Sequence, residues 1–241
     1  MIFFGFDPLY MLVILVGLGL SLWASAKTKG TFNRYSRVRT RRGWTGAQVA
    51  EQILRDNDIH DVTVEAVRGT LTDHYDPRSK TLRLSEPVYA SQSISAVGVA
   101  AHEVGHAIQH ATGYAPLKFR SAWVPVAGYG TNLGFILILI AFFMGGAAAG
   151  GAATTMAWAG IILFSASTIF TLITLPVEFD ASSRALATLE TRGYLTQEEM
   201  GGAREVLNAA AMTYVAAFIS SLLVLLYWAF RLGLLGGRSD D

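Results

Sequence analysis

The chain is predicted to be an α-helical membrane protein with about four transmembrane helices and a small α+β domain outside the bilayer. Three observations predict this. Hydrophobic residues make up 52 % and charged residues 15 % of the 241 residues, well below the roughly 25 % charged share of ordinary soluble domains. Uncharged apolar runs long enough to cross about 30 Å of hydrocarbon as helices recur along the chain. Residues 27–120, by contrast, are mixed in character, with helical and alternating patterns side by side. The net charge of +1 says little as a total, because it hides a local basic cluster. Cysteine is absent, which excludes disulfides and thiolate metal sites and leaves histidine and carboxylate as the only strong metal ligands.

The first run extends from about Leu9 to Ala26 without a charge. "WASA" at Trp23 to Ala26 resembles a signal-peptide cleavage site, but such a peptide wants positive charge before its apolar core, and Met1 to Tyr10 has none. The run therefore reads as an uncleaved anchor. Lys27, Lys29, Arg34, Arg37, Arg39, Arg41 and Arg42 follow immediately. Positive flanks stay cytoplasmic, so the amino terminus is expected outside and residue 27 onward inside. Nucleic-acid or headgroup binding is the sharper alternative for this cluster. A topology signal with incidental anionic-lipid contact accounts for it, and no nucleic-acid partner is expected.

Within residues 27–120, Thr45 and Gln48 have the spacing of a capping box, and Ala50, Ile53 and Leu54 recur at helical spacing, so 45–57 is predicted helical. Alternation from Asp61 to Val67 predicts a strand. Asp76-Pro77 predicts a turn between two extended pieces, the second being Thr81 to Ser85. Ser93 to Thr112 is rich in alanine and valine without proline, and Gly113 is a plausible stop, which predicts a helix.

Runs from about Ala122 to Met144 and from about Ala152 to Leu175 are joined by "GGAAAGGAA" and read as a membrane hairpin. Gly130 and Gly134 permit close helix approach, and Ser165, Ser167, Thr168 and Thr171 are candidates for bonds between helices. A fourth run covers about Ala209 to Trp228. With four crossings both termini lie outside, and the tail with Arg231, Arg238, Asp240 and Asp241 supports this little either way. The expected organisation is thus an anchor at 1–26, a cytoplasmic part at 27–120, a hairpin at 121–176, a cytoplasmic helical segment at 177–208, and a last span with its tail at 209–241.

The chemistry gathers in "VGVAAHEVGHAIQHATG", Val97 to Gly113. On a helix His102 and His106 lie on one face and aim at a single point. Glu103 is offset by about 100°, which suits a carboxylate that polarises a metal-bound water without ligating the metal. Val104 and Gly105, with Val99, Ala100, Ala101, Ala107 and Ile108, bury the remainder. The competing reading makes His102 and His106 polar core residues satisfied by hydrogen bonds. His110 continues the series but lies too far along the axis to share a metal, so it reads as a surface or supporting residue.

Catalytic zinc usually has three protein ligands and an open position. His60 and His74 lie upstream among strands and loops. The better third ligand is Glu178 in "TLPVEFDASSRALATLETRGY", because the hairpin returns the chain to the side it left. A second helix at 177–190 would present its carboxylate to the histidines. The competing reading makes it a carboxylate that only marks the membrane exit.

The "AAHEVGHAIQH" helix, "LPVEFDASSRAL" and the apolar spans resemble the YugP-like neutral zinc metallopeptidases of bacteria over essentially the whole chain. More distantly the plan is similar to gluzincin membrane peptidases related to the prenyl-protein and heat-shock proteases. The resemblance implies a zincin-like domain, one zinc ion held by His102, His106 and Glu178, and Glu103 as general base and acid. Distant relatives carry an aspartate four residues after the ligand glutamate to support a zinc histidine, and here that position is Ser182. Asp180 can substitute only if the helix is locally irregular.

The function expected is an integral membrane zinc endopeptidase, cutting peptide or protein chains with a zinc-activated water at the cytoplasmic surface. Arg184, Tyr194 and His110 are the candidate oxyanion donors, with Arg184 preferred, although it equally suits a salt bridge to Asp180. Thr81 to Ser85 is expected either as an edge strand that pairs with substrate backbone or as a plain sheet strand. The alternative function is a non-catalytic membrane scaffold stapled by structural zinc, against which Glu103 argues. A transporter is disfavoured because the spans carry no charge. Oligomeric state and protein partners are unknown.

Overall fold

The computed structural model describes residues 7–235. Expectations about the first residues of the chain and about Arg238, Asp240 and Asp241 lie outside the described residues. The chain is mostly helical. Helix α1 (Pro8–Tyr35) is followed by α2 (Gly46–Asp56), strands β1 (Thr63–Val67), β2 (His74–Asp76) and β3 (Thr81–Ser85), the short α3 (Glu86–Tyr89) and α4 (Ile94–Ala111). Three long helices complete it: α5 (Ala115–Phe143), α6 (Gly151–Thr191) and α7 (Gln197–Arg231). Helices α1, α5, α6 and α7 are each long and apolar enough to cross a membrane.

Two compact units are built from these elements. The first comprises Met1–Trp23, Phe119–Thr174 and Tyr214–Asp241. Here α5 and α6 meet at small residues: a Cβ on Gly130 would lie 2.7 Å from the Leu163 carbonyl oxygen, and one on Gly134 would lie 2.5 Å from the Phe164 nitrogen. Only glycine allows that approach. Thr171 Oγ1 and Ser221 Oγ, 3.0 Å apart, link α6 to α7. Ser165 and Ser167, expected to do the same, instead donate to carbonyls of their own helix, Ile162 and Phe164. Outward-facing side chains are large and apolar, among them Leu22, Ile136, Ile162 and Phe143.

The second unit comprises Ala24–Lys118 and Leu175–Thr213. Thr45 and Gln48 form the expected capping box at the start of α2. Ser93 Oγ accepts from the Ala96 amide and caps α4, and at its other end Gly113 takes φ +67°, a conformation glycine adopts without strain. The sheet order is β1-β3-β2, with β3 parallel to β1 and antiparallel to β2. Thr81 to Ser85 is therefore the central strand, not an edge. Its hydrogen-bonding capacity is used on both sides, and the fully buried Leu82 and Leu84 suit that place. The free edge nearest α4 belongs to β2.

Two helices differ from expectation in extent. Helix α1 runs on through the first basic residues to Tyr35, and α6 continues past Leu175 through Pro176 to Thr191. Residues 177–190 are thus not a separate helix. Proline forfeits one backbone bond and often ends a helix, but the alanine-rich sequence beyond it carries the helix on. Much of the basic cluster is paired: Arg34 with Glu205 at 3.1 Å, Arg41 with Glu198 at 2.7 Å, and Arg39 with Gln92. The two ion pairs, Arg34 with Glu205 and Arg41 with Glu198, are exposed and contribute little to stability.

Candidate metal centre

Helix α4 packs on α6 with the histidines on the contact face. Gly105 is what permits the approach, because a Cβ there would lie 2.5 Å from the Ala181 carbonyl oxygen. At that separation the Glu178 Oε2 atom stands 3.3 Å from His102 Nε2 and 3.5 Å from His106 Nε2. The three ligand atoms all fall within 4.8 Å of one another, and this is the cluster among the described residues suited to a metal ion. Around a tetrahedral zinc with bonds of about 2.0–2.2 Å, ligand atoms are about 3.3–3.6 Å apart. The two separations from Glu178 match that edge length, and the donor set suits the ion in its chemistry.

Glu178 is almost fully buried, and His106 and Glu103 are buried as well. Burial pushes the Glu103 carboxyl above the usual carboxylate range. Burial works against a proton on His106, but hydrogen bonding and attraction from Glu178, aided by Glu103, outweigh it and raise its pKa. Two carboxylates beside two imidazoles make a pocket that favours a cation.

Support for the histidines comes from unexpected partners. His102 Nδ1 lies 3.1 Å from Ser182 Oγ, so the serine at the position where an aspartate was expected still touches a histidine of the cluster. Asp180 contacts neither histidine. Its Oδ2 accepts from Gln109 Nε2 at 2.8 Å, and Gln109 Oε1 is 3.0 Å from His106 Nδ1. No helix irregularity is needed. Gln109 is the residue that sequence reasoning missed. Its spacing of three from His106, on the same helical face, was the available signal.

The remaining candidates separate. Arg184 Nε donates to Asp180 Oδ2 at 2.6 Å, and its guanidinium stacks 5.6 Å from the Tyr114 ring centre. Tyr194 is buried in the core beside Trp44 with its hydroxyl donating to Asp56 at 2.6 Å, which removes it as an oxyanion donor. His110 stays outside the cluster, as expected. Its Nδ1 is 2.8 Å from the Tyr75 hydroxyl, and both line a cavity of about 350 Å³ with Ile59, Val62 and Ala111. His60 and His74 are exposed and contribute nothing to the cluster.

A chain with this fold and donor set has the parts of a zinc hydrolase, and comparison with known proteins agrees. Residues 10–233 match the family described as "Putative neutral zinc metallopeptidase", and the chain belongs to that family. One member is the "Putative membrane protease YugP" of Bacillus subtilis (strain 168), 47 % identical over 233 residues, covering 97 % of this chain and 100 % of that protein. No solved structure matches the chain.

Proposed function

We propose that the chain is an integral membrane zinc endopeptidase, with one zinc ion held by His102, His106 and Glu178 and with Glu103 as general base and acid. The observation that carries this reading is the fit of the 3.3 and 3.5 Å ligand separations to a zinc tetrahedron beside a buried carboxylate that is not itself a ligand. Bound zinc supplies a Lewis acid that acidifies water and polarises a carbonyl. Glu103, buried with a raised proton affinity, takes the proton of the attacking water and returns it to the leaving amine. Arg184 is the proposed oxyanion donor. It would act through its terminal guanidinium nitrogens, since Nε is committed to Asp180.

The outer edge of β2 is the proposed pairing edge for substrate backbone, and the cavity at His110 and Tyr75 the proposed seat of a substrate side chain. His110 lies one turn, about 6 Å, beyond His106 along α4. Membrane insertion is supported by the four long apolar helices, by their outward apolar side chains and by the name of the Bacillus relative. The basic cluster favours a cytoplasmic site. A thiol introduced as Val38→Cys should resist labelling from outside intact cells, and ready labelling would reverse the orientation.

The deciding experiment uses the full chain in detergent. The Glu103→Gln variant should retain zinc and lose peptide cleavage. A wild-type protein that binds no zinc would end this reading, and a variant that cleaves as fast as wild type would favour the scaffold alternative.

A further inference from the structure

We propose that Gln109, held by Asp180, is the positioning residue that fixes the proton of His106 on Nδ1 and so presents Nε2 bare to the metal. This rests on the reading of His102, His106 and Glu178 as the metal centre. Gln109 is fully buried, and its Nε2 lies 2.8 Å from the Val177 carbonyl oxygen and 2.8 Å from Asp180 Oδ2. A backbone carbonyl and a carboxylate only accept, so both amide hydrogens are spent on them and the amide cannot be turned over. The atom 3.0 Å from His106 Nδ1 is therefore the amide oxygen, another acceptor. Nδ1 must carry the hydrogen that joins them. With a metal ion in the site the ring is neutral and has one such hydrogen, which leaves the Nε2 lone pair for the ion, on the side where Glu178 Oε2 is 3.5 Å away.

The hydrogen bonds run in one direction, from His106 to Gln109 and from Gln109 to Asp180, and the same Asp180 oxygen is held from the other side by Arg184 Nε at 2.6 Å. The carboxylate that sequence reasoning sought beside a zinc histidine is present, one amide removed. His102 is held differently. Ser182 Oγ, 3.1 Å from its Nδ1, can donate or accept and imposes no tautomer. The two histidines are thus unequally prepared, and His106 is the one the protein sets in advance.

The test measures zinc dissociation constants by chelator competition on the full chain in detergent, together with nitrogen-15 spectra of histidine-labelled, zinc-loaded protein. Wild type should carry the His106 hydrogen on Nδ1. Gln109→Leu should weaken zinc about 10- to 100-fold and shift the Nδ1–H signal, while Ser182→Ala should have the smaller effect. An Nε2–H form of His106 in wild type or a Gln109→Leu variant with unchanged zinc affinity would each overturn the proposal. His102→Ala keeps the two readings distinct. If it too leaves zinc affinity unchanged, the metal centre itself is wrong; if it abolishes binding while Gln109→Leu does not, only the relay is.

Discussion

Replacing Gly105 by alanine should damage the metal centre without touching a ligand. The added Cβ would lie 2.5 Å from the Ala181 carbonyl oxygen and 3.1 Å from that residue's carbonyl carbon and Cα. Those atoms are helix backbone and cannot rotate away, so α4 and α6 must separate locally by roughly 0.7–1 Å to restore ordinary contact. The ligand separations of 3.3 and 3.5 Å would open by a similar amount, whereas metal sites tolerate bond-length errors of only about 0.2 Å. Zinc affinity should fall at least about tenfold, and overpacking should cost the metal-free protein about 1–3 kcal/mol. Gly98 on the same helix is the control. A Cβ there meets Ala203 Cβ at 3.6 Å, an ordinary contact, and alanine favours the helix by up to about 1 kcal/mol. Chelator competition and thermal melting of the two variants in detergent give both numbers. Wild-type zinc affinity in Gly105→Ala would refute the claim that this close approach sets the ligand geometry.

Other expectations follow from the same structure. Stripping zinc with a chelator should lower the melting temperature, since a ligand at a hundred times its Kd stabilises by about 2.7 kcal/mol; an unchanged melt would mean that the metal is not part of the folded state. Tyr194→Phe removes the 2.6 Å bond that holds the Asp56 carboxyl below its ordinary range, at a cost of about 1–2 kcal/mol near neutral pH. A depressed carboxylate stabilises above its unfolded pKa of 3.8 and loses that benefit as pH falls. The gap between wild type and variant should therefore shrink in urea melts below about pH 4, and a gap that widens there would contradict the assignment. Ala111→Phe, at the edge of the cavity beside His110, should raise KM for peptide with kcat retained if a substrate side chain enters there. An unchanged KM would place that side chain elsewhere.

Which features were legible in the sequence follows from the range of the forces involved. The capping box at Thr45, the strand at Thr81 to Ser85 and the bounds of α4 depend on neighbours within a turn or two, and local pattern reads them well. The central place of β3 was not legible, because a five-residue strand alternating leucine with polar residues carries no mark of having partners on both sides. Nor was the continuity of α6: Pro176 is a strong local signal to stop, and its cost is overridden by helix on either side of it. At the centre itself, His102, Glu103 and His106 share one helix and their spacing exposes them. Gln109 stayed hidden because its importance lies in what it touches on α6, sixty-eight residues away.

The two helices meet as an antiparallel ladder, and the ladder explains why so short a stretch of α6 does so much. Ser182 faces His102, Ala181 faces Gly105, Glu178 faces His102 and His106, and Val177 faces Gln109, so rising positions on α4 meet falling positions on α6. Spacings of three and four on both strands keep every member on the contact face. The approach of Glu178 to both histidines, the contact of Ser182 with His102 and the contact of Gln109 with His106 are consequently one structural event. A change in the crossing shifts all three together, whereas a change in a single side chain shifts one. Gly105 and Gln109 separate these cases: loss of the glycine should degrade both histidines' contacts at once, and loss of the glutamine should degrade that of His106 alone, leaving the distance from Ser182 to His102 intact.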